Sequence, residues 1–224
     1  MVQRGCNCVP WLYMHKVVEL CYALQLQGVS AFRFDFSGNG ESEGEFEFGN
    51  YHKEVDDLHA VIRYFTASHR VVSAIVGHSK GANDVILYAS LHHNVKKVIS
   101  LSSRYKMDRG IEEILGKDYL ERAKRDGYVE FRTLSGTILR ATYESILERL
   151  HTNMHEAGLK VDRSCSVLIV HGSVDEVIPL EDAFKFAKII RNHKLRIIEG
   201  ANHRYQKHRV ELAAVVTAFI IFGL

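Results

Sequence analysis

Val71-Val72-Ser73-Ala74-Ile75-Val76-Gly77-His78-Ser79-Lys80-Gly81 is the stretch that decides the fold. Val71 to Val76 is an apolar run rich in β-branched residues and reads as a strand. Beyond Gly81, Ala82, Val85, Ile86 and Ala89 recur three and four residues apart and read as a helix. A G-x-S-x-G sequence between a strand and a helix is the context of a nucleophile elbow. The turn is so tight that its flanking positions tolerate almost no side chain, which calls for glycine at both. The serine between them is held in a strained conformation. Its hydroxyl stands above the sheet, next to a helix N-terminus that favours developing negative charge.

Two further strand ends carry chemistry. The apolar run Val167 to Val170 leads into His171-Gly172-Ser173-Val174-Asp175 and then Ile178-Pro179. Leu195 to Ile198 leads into Glu199-Gly200-Ala201-Asn202-His203. Each puts an acid or a base just past the carboxyl end of a strand, where open α/β sheets build their sites. The order Ser79, Asp175, His203 is not that of chymotrypsin-type or subtilisin-type sites.

With 224 residues, 46% hydrophobic and 25% charged, the chain suits one domain, 1–224, with a sizeable core. Its formal net charge is +2, with no basic stripe or aromatic-basic interleaving, so nucleic acid is not an expected partner. The four cysteines, Cys6, Cys8, Cys21 and Cys165, do not form a disulfide framework pattern. Cys6-x-Cys8 near His15 lacks the second ligand pair of a zinc site, and the cysteines read as reduced thiols of an intracellular, cytoplasmic protein. Met1 to Pro10 has no apolar signal region. The apolar stretch Leu212 to Leu224 is shorter than the ~20 residues of a membrane span. It reads as a final helix packed on the sheet, with no stable membrane insertion.

Along the rest of the chain, Val17, Leu20, Cys21 and Leu24 mark a helix ending at Gly28. Ala31 to Phe36 reads as a strand with Phe32, Phe34 and Phe36 on one face, and Arg33 and Asp35, read as an ion pair, on the other. Ser37 to Gly49 is a turn-rich loop that lacks the G-x-x-x-x-G-K-[ST] pattern of a phosphate cradle. Val55, Leu58, Val61, Ile62 and Phe65 mark an amphipathic helix, and Val98 to Leu101 a short strand. From Arg104 to about Lys160 charge becomes dense and the apolar spacing helical, with a small hairpin between Tyr128 and Leu139. This segment reads as an insertion between strands. A helix with Ala183, Phe184, Ala187 and Ile190 separates the last two strands. Alternating β and α segments predict an α/β fold, a mostly parallel sheet covered by helices on both faces.

Taken together, Phe32-Arg-Phe-Asp35-Phe-Ser-Gly-Asn-Gly40-Glu-Ser42, Gly77-His-Ser79-Lys-Gly81, His171-Gly-Ser-Val-Asp175 and Gly200-Ala-Asn-His203 resemble the α/β-hydrolase superfamily. The resemblance covers about residues 16–224. It is nearest to the branch of serine aminopeptidase-like, monoacylglycerol lipase-like and cinnamoyl or feruloyl esterase-like proteins, plant members of unassigned substrate included. It implies Ser79 as nucleophile, His203 as base and then acid, and Asp175 as the group that orients and stabilises the imidazolium. It also implies the Lys80 backbone N–H as one oxyanion donor, the lysine side chain being only a surface neighbour. Residues 104–160 would be the cap that selects substrate. The implied reaction is acyl transfer from a small-molecule carboxylic ester to water, with no metal or organic cofactor. Amide and thioester cleavage use the same machinery. Among the rivals, His171 reads as structural, Glu176 lies one residue beyond Asp175, and His92-His93 read as solvated.

The pattern departs from the family at its start. Family members carry further strands upstream, one ending in a His-Gly loop that supplies the second oxyanion donor. Here the corresponding Gly5-Cys6-Asn7-Cys8-Val9 has no His-Gly, which puts the second donor near Asn7. In the family's sheet order the strand before that loop separates Phe32–Phe36 from Val71–Val76. Its loss would open the sheet at a cost of about 1–3 kcal/mol per buried unpaired backbone group. Either Val2 to Cys6 supplies a shortened strand, or the chain is an N-terminally altered version of a longer protein. The alternative function is a hydrolase-fold protein that binds a small ligand or partner with weak or no turnover.

Overall fold

The computed structural model describes residues 14–133 and 136–224, and for residues 14–18 the backbone alone. Helix α1 (Met14–Leu26) is followed by an irregular stretch, α2 (Tyr51–Ala67), β1 (Ile75–His78), α3 (Lys80–Leu91) and β2 (Lys97–Leu101). A segment of mixed structure then holds α4 (Glu112–Leu115), α5 (Tyr119–Asp126), β3 (Tyr128–Arg132), β4 (Ile138–Thr142), α6 (Tyr143–His151) and α7 (Met154–Lys160). The chain returns through β5 (Ser166–Gly172), α8 (Leu180–Ile189), β6 (His193–Ile198) and α9 (Arg209–Phe222).

The main sheet has the order β1-β2-β5-β6, parallel at every pairing. Side chains alternate across it, as the pleat requires. Ile75, Val98, Val167 and Ile169 meet Leu58, Ile62, Val85, Met154 and Phe186 on the face covered by α2, α3, α7 and α8. Val76, Ile99, Leu168 and Val170 meet Leu20, Leu24, Val216 and Phe219 of α1 and α9 on the other. Near-continuous apolar strands are what a sheet buried on both faces demands. The expected fold class is therefore the one found, and the last helix packs on the sheet as expected. Among the described residues no helix is long and apolar enough to cross a membrane.

Two strand expectations are corrected. Ala31 to Phe36 is not a strand among the described residues, and the elbow strand starts at Ile75, not Val71. A strand exists only through a partner. Among the described residues, β1 pairs with β2 alone, and Ala31–Phe36 pairs with no strand. Val71 is 91% exposed. The phenylalanines hold their segment by packing instead, Phe32 against Phe65 (ring centroids 4.9 Å) and Phe34 against Phe36 (5.3 Å). Arg33 and Asp35 do not form the expected ion pair with each other; Asp35 Oδ2 instead accepts the Glu41 N–H at 3.3 Å. Residues 2–9, with Cys6, Cys8 and the region of Asn7, lie outside the described residues.

Between β2 and β5, strands β3 and β4 form an antiparallel hairpin. Ile111, Leu115, Ala123, Val129, Phe131, Ala141 and Ile146 close with Phe48 into a small core of their own. Arg149 joins its turns, donating to the carbonyls of Met107 (3.0 Å) and Arg109 (2.8 Å).

Register is what positions the site. His78 pairs with Leu101, and Leu101 with Val170, so β1, β2 and β5 run out at one edge. Gly172 pairs with Ile198, which brings β6 to the same edge. Ser79 follows the β1 end directly, and Asp175 and His203 lie in the short loops that leave the ends of β5 and β6.

Candidate active site

Ser79 has φ 57° and ψ −120°, a region that residues with a Cβ rarely occupy. The conformation is imposed by its surroundings. Its N–H continues the sheet by donating to the Leu101 carbonyl (2.9 Å), and its own carbonyl already accepts the Ala82 N–H (3.0 Å) to start α3. The chain changes from strand to helix across one residue. At Gly77 a Cβ would lie 1.9 Å from the Gly81 carbonyl oxygen, so only glycine fits.

The loops after β5 and β6 are laced together. Ser173 N–H donates to Ile198 (3.0 Å) and Val174 N–H to Ala201 (3.1 Å). A Cβ on Gly172 would lie 2.2 Å from the Ala201 carbonyl oxygen, and its absence lets the loops approach. Asp175, its side chain fully buried, accepts the backbone N–H groups of Val177 (2.9 Å) and Ile178 (2.8 Å) on Oδ1. Its Oδ2 lies 2.8 Å from His203 Nδ1. On the far side of the ring, His203 Nε2 lies 3.1 Å from Ser79 Oγ. A carboxylate only accepts, so Nδ1 carries the proton and Nε2 presents a lone pair to the serine hydroxyl. Burial pushes the Asp175 carboxyl upward. The hydrogen bond from His203, its charge and the two loop N–H groups outweigh this and hold it at about 2.

His171 is fully buried and its Nε2 donates to the Ile178 carbonyl (2.9 Å), with Asp175 Oδ2 at 3.4 Å. Burial holds its imidazole below the ordinary value. Glu176 does not reach the His203 ring; its Oε2 accepts the His203 backbone N–H at 3.0 Å. His92 is half-buried and stacks on His59 with ring centroids 4.0 Å apart, rather than standing free in solvent. The region of Asn7 lies outside the described residues.

Lys80 is corrected. Its side chain is not a surface neighbour: it is only 10% exposed and pairs with the fully buried Glu54 at 2.7 Å, with the Tyr51 ring 5.0 Å away. Asp84, one turn along α3, is fully buried as well. Burial raises the Asp84 carboxyl well above the carboxylate range, and the Glu54 charge adds to it. Glu54 is raised by burial against the opposing pull of Lys80.

Sequence reasoning assigned no role to His78 or Tyr205. His78 Nε2 lies 2.9 Å from the His203 carbonyl oxygen. Tyr205, at φ 50° and fully buried, lies 2.9 Å from Ser102 Oγ and donates to the Val170 carbonyl at 3.2 Å. The only signal for His78 was its place inside the elbow, and for Tyr205 an aromatic two residues past His203.

The family model described as serine aminopeptidase, S33 matches residues 13–140, more than half of the chain and including Ser79. The ferulic-acid complex of Est1E from Butyrivibrio proteoclasticus aligns with a TM-score of 0.77 at 24% identity, covering 98% of this chain and 87% of that one. The complex of DcsB with its substrate analogue gives 0.79 at 16%, covering 98% and 88%. A putative hydrolase from Agrobacterium vitis S4 gives 0.72 at 20%, covering 98% and 87%. At these identities the likeness is one of fold. No curated protein matches the chain.

Proposed function

We propose, from the premise that this chain belongs to the serine aminopeptidase S33 family, that it is a serine hydrolase that cleaves a carboxylic ester through an acyl-Ser79 intermediate. The observation that carries this reading is the unbroken chain from Ser79 Oγ to His203 Nε2 (3.1 Å) and from His203 Nδ1 to Asp175 Oδ2 (2.8 Å). It lies at the edge of the sheet where the strained serine emerges.

In this reading His203 Nε2 takes the proton from Ser79 Oγ as the oxygen attacks the acyl carbon. The ring becomes an imidazolium, stabilised by Asp175. Asp175 stays ionised throughout, in keeping with its depressed pKa of about 2. The tetrahedral oxyanion forms at the N-terminal end of α3, where the Lys80 N–H and the helix dipole favour it. The second donor is assigned to the region of Asn7. His203 returns the proton to the leaving alcohol, the C–O bond breaks, and the acyl group stays on Ser79. Water then enters by the same steps in reverse, and the acid leaves. No metal or organic cofactor takes part.

The insertion at 104–160 is proposed as the cap over this site. Support comes from its attachment: Arg104 donates from its guanidinium to the Val177 carbonyl at 2.8 Å, two residues from Asp175. Est1E was crystallised with ferulic acid, which makes hydroxycinnamate esters a natural part of the substrate panel. The test is labelling with a fluorophosphonate probe, then turnover of short-chain, long-chain and hydroxycinnamoyl esters, wild type against Ser79→Ala. Labelling and turnover that vanish together in Ser79→Ala support the reading. A wild-type chain that neither labels nor turns over any ester overturns it, in favour of a ligand-binding role.

A further inference from the structure

We propose that His78 is a positioning residue which, together with Glu176, grips the main chain of His203 from both sides, so that the imidazole is aimed by its own peptide groups as well as by Asp175. The inference rests on the reading of His203 as the base. His78 Nε2 lies 2.9 Å from the His203 carbonyl oxygen, and a carbonyl only accepts, so this nitrogen carries a proton and donates. From the opposite side, Glu176 Oε2 accepts the His203 N–H at 3.0 Å. Both polar groups of His203's own residue are thus engaged, as are both nitrogens of its ring.

The loop needs such a grip. His203 stands five residues beyond the end of β6, in a stretch without regular structure before α9. The Asp175 bond fixes which way the ring turns, but a ring also moves with its Cα. The residues that hold that Cα are the chain neighbours of the ring's two partners: His78 precedes Ser79, and Glu176 follows Asp175. Any shift of the β1 end or of the acid loop therefore carries the His203 backbone along with the group its ring must meet. The His78 ring also packs beside that of His203, centroids 4.8 Å apart and planes inclined by 47°. The two grips are unequal. His78 is buried, so breaking its bond strands a carbonyl away from water, whereas Glu176 is exposed and water can replace it.

The test uses the full chain with His78→Leu, His78→Gln, His78→Asn and Glu176→Ala. Two quantities are read: the rate of Ser79 labelling by the fluorophosphonate probe, and the side-chain nitrogen NMR signals of His203, which report its tautomer and hydrogen bonding without catalysis. His78→Leu is expected to slow labelling about 10–100-fold, the scale of an ångström-sized misplacement, and to weaken the His203 Nδ1–H signature. His78→Gln, whose amide reaches the Nε2 position, restores most of both. His78→Asn, one bond shorter, does not, and Glu176→Ala has a smaller effect than His78→Leu. Wild-type labelling and an unchanged His203 signature in His78→Leu would overturn the proposal. If His78→Leu does not fold, Gln and Asn decide: equal behaviour overturns the proposal and Gln-selective recovery supports it. A wild type that does not label, but whose His203 signature depends on residue 78 in this order, sinks the hydrolase reading and keeps the positioning role.

Discussion

Lys80 Nζ lies 2.7 Å from Glu54 Oε1, and this ion pair is almost wholly removed from water. It ties the residue after Ser79 to the first turn of α2, and so fixes the end of α3 where the proposed oxyanion forms. Breaking a buried ion pair by removing one partner costs about 3–5 kcal/mol. Glu54→Ala is expected to lower stability by that amount in denaturant titration. Glu54→Gln, which keeps a hydrogen-bond acceptor for the ammonium, should lose less. A Glu54→Ala protein as stable as the wild type would show the pair to be incidental.

Asp84 gives a pH dependence of the opposite sense to an ordinary paired carboxylate. Burial, then the Glu54 charge, raises its folded pKa well above the ordinary 3.8. The folded state therefore binds the proton more tightly than the unfolded chain. Its contribution to stability is full below about pH 3.8 and declines as pH rises toward the folded pKa. Asp84→Asn removes this titration. The variant should gain melting temperature relative to wild type at pH 8, with the gain shrinking as pH falls toward 5. A pH-independent difference would refute the assignment.

For Asp175 the sign is reversed. Its folded pKa of about 2 lies below the ordinary 3.8, so its contribution is present above 3.8 and lost as pH falls through 2. The shift corresponds to stability on the order of 2 kcal/mol. Asp175→Asn should abolish the part of the wild-type acid transition that falls between those values. On the proposed function, it also replaces the acceptor of the Nδ1 proton, and kcat should fall by about 10⁴-fold. Activity within tenfold of wild type would exclude Asp175 as the orienting acid.

Ser79 pays for its exposure with backbone strain at φ 57° and ψ −120°. Ser79→Gly relieves that strain and should raise stability by about 1 kcal/mol, while probe labelling disappears. Gly77→Ala does the reverse, because its Cβ would fall 1.9 Å from the Gly81 carbonyl oxygen. A loss of about 3 kcal/mol or more is expected, read by thermal or denaturant unfolding.

Arg104 links the start of the insertion to the acid loop through the Val177 carbonyl at 2.8 Å. Arg104→Met keeps the stem and breaks the link. The ratio of kcat/KM between short and bulky esters should shift several-fold, with the intrinsic rate of Ser79 labelling by a small phosphonate little changed. An unaltered ester profile would argue against the cap role.

The elements that rest on short-range rules were legible in the sequence. The elbow follows from a β-branched run, two glycines and a helical repeat, all within about twenty residues. The ends of β5 and β6 were marked by their apolar runs, and the parallel sheet by the alternation of elements. What needed partners was not legible. Ala31 to Phe36 has the pattern of a strand, but pairing is supplied from elsewhere in the chain, and the described residues do not supply it. Lys80 reads as a surface residue because its charge normally demands water, until Glu54, 26 positions earlier, takes water's place. Asp175 and Glu176 are adjacent and chemically alike. Only the path of the loop decides that one meets the His203 ring and the other its backbone N–H. His78 finds its acceptor 125 residues away. The sequence by itself determined which backbone shapes were sterically open and which faces were apolar. The tertiary structure decided which polar groups met, because hydrogen bonds and burial depend on distances between segments that no local pattern encodes.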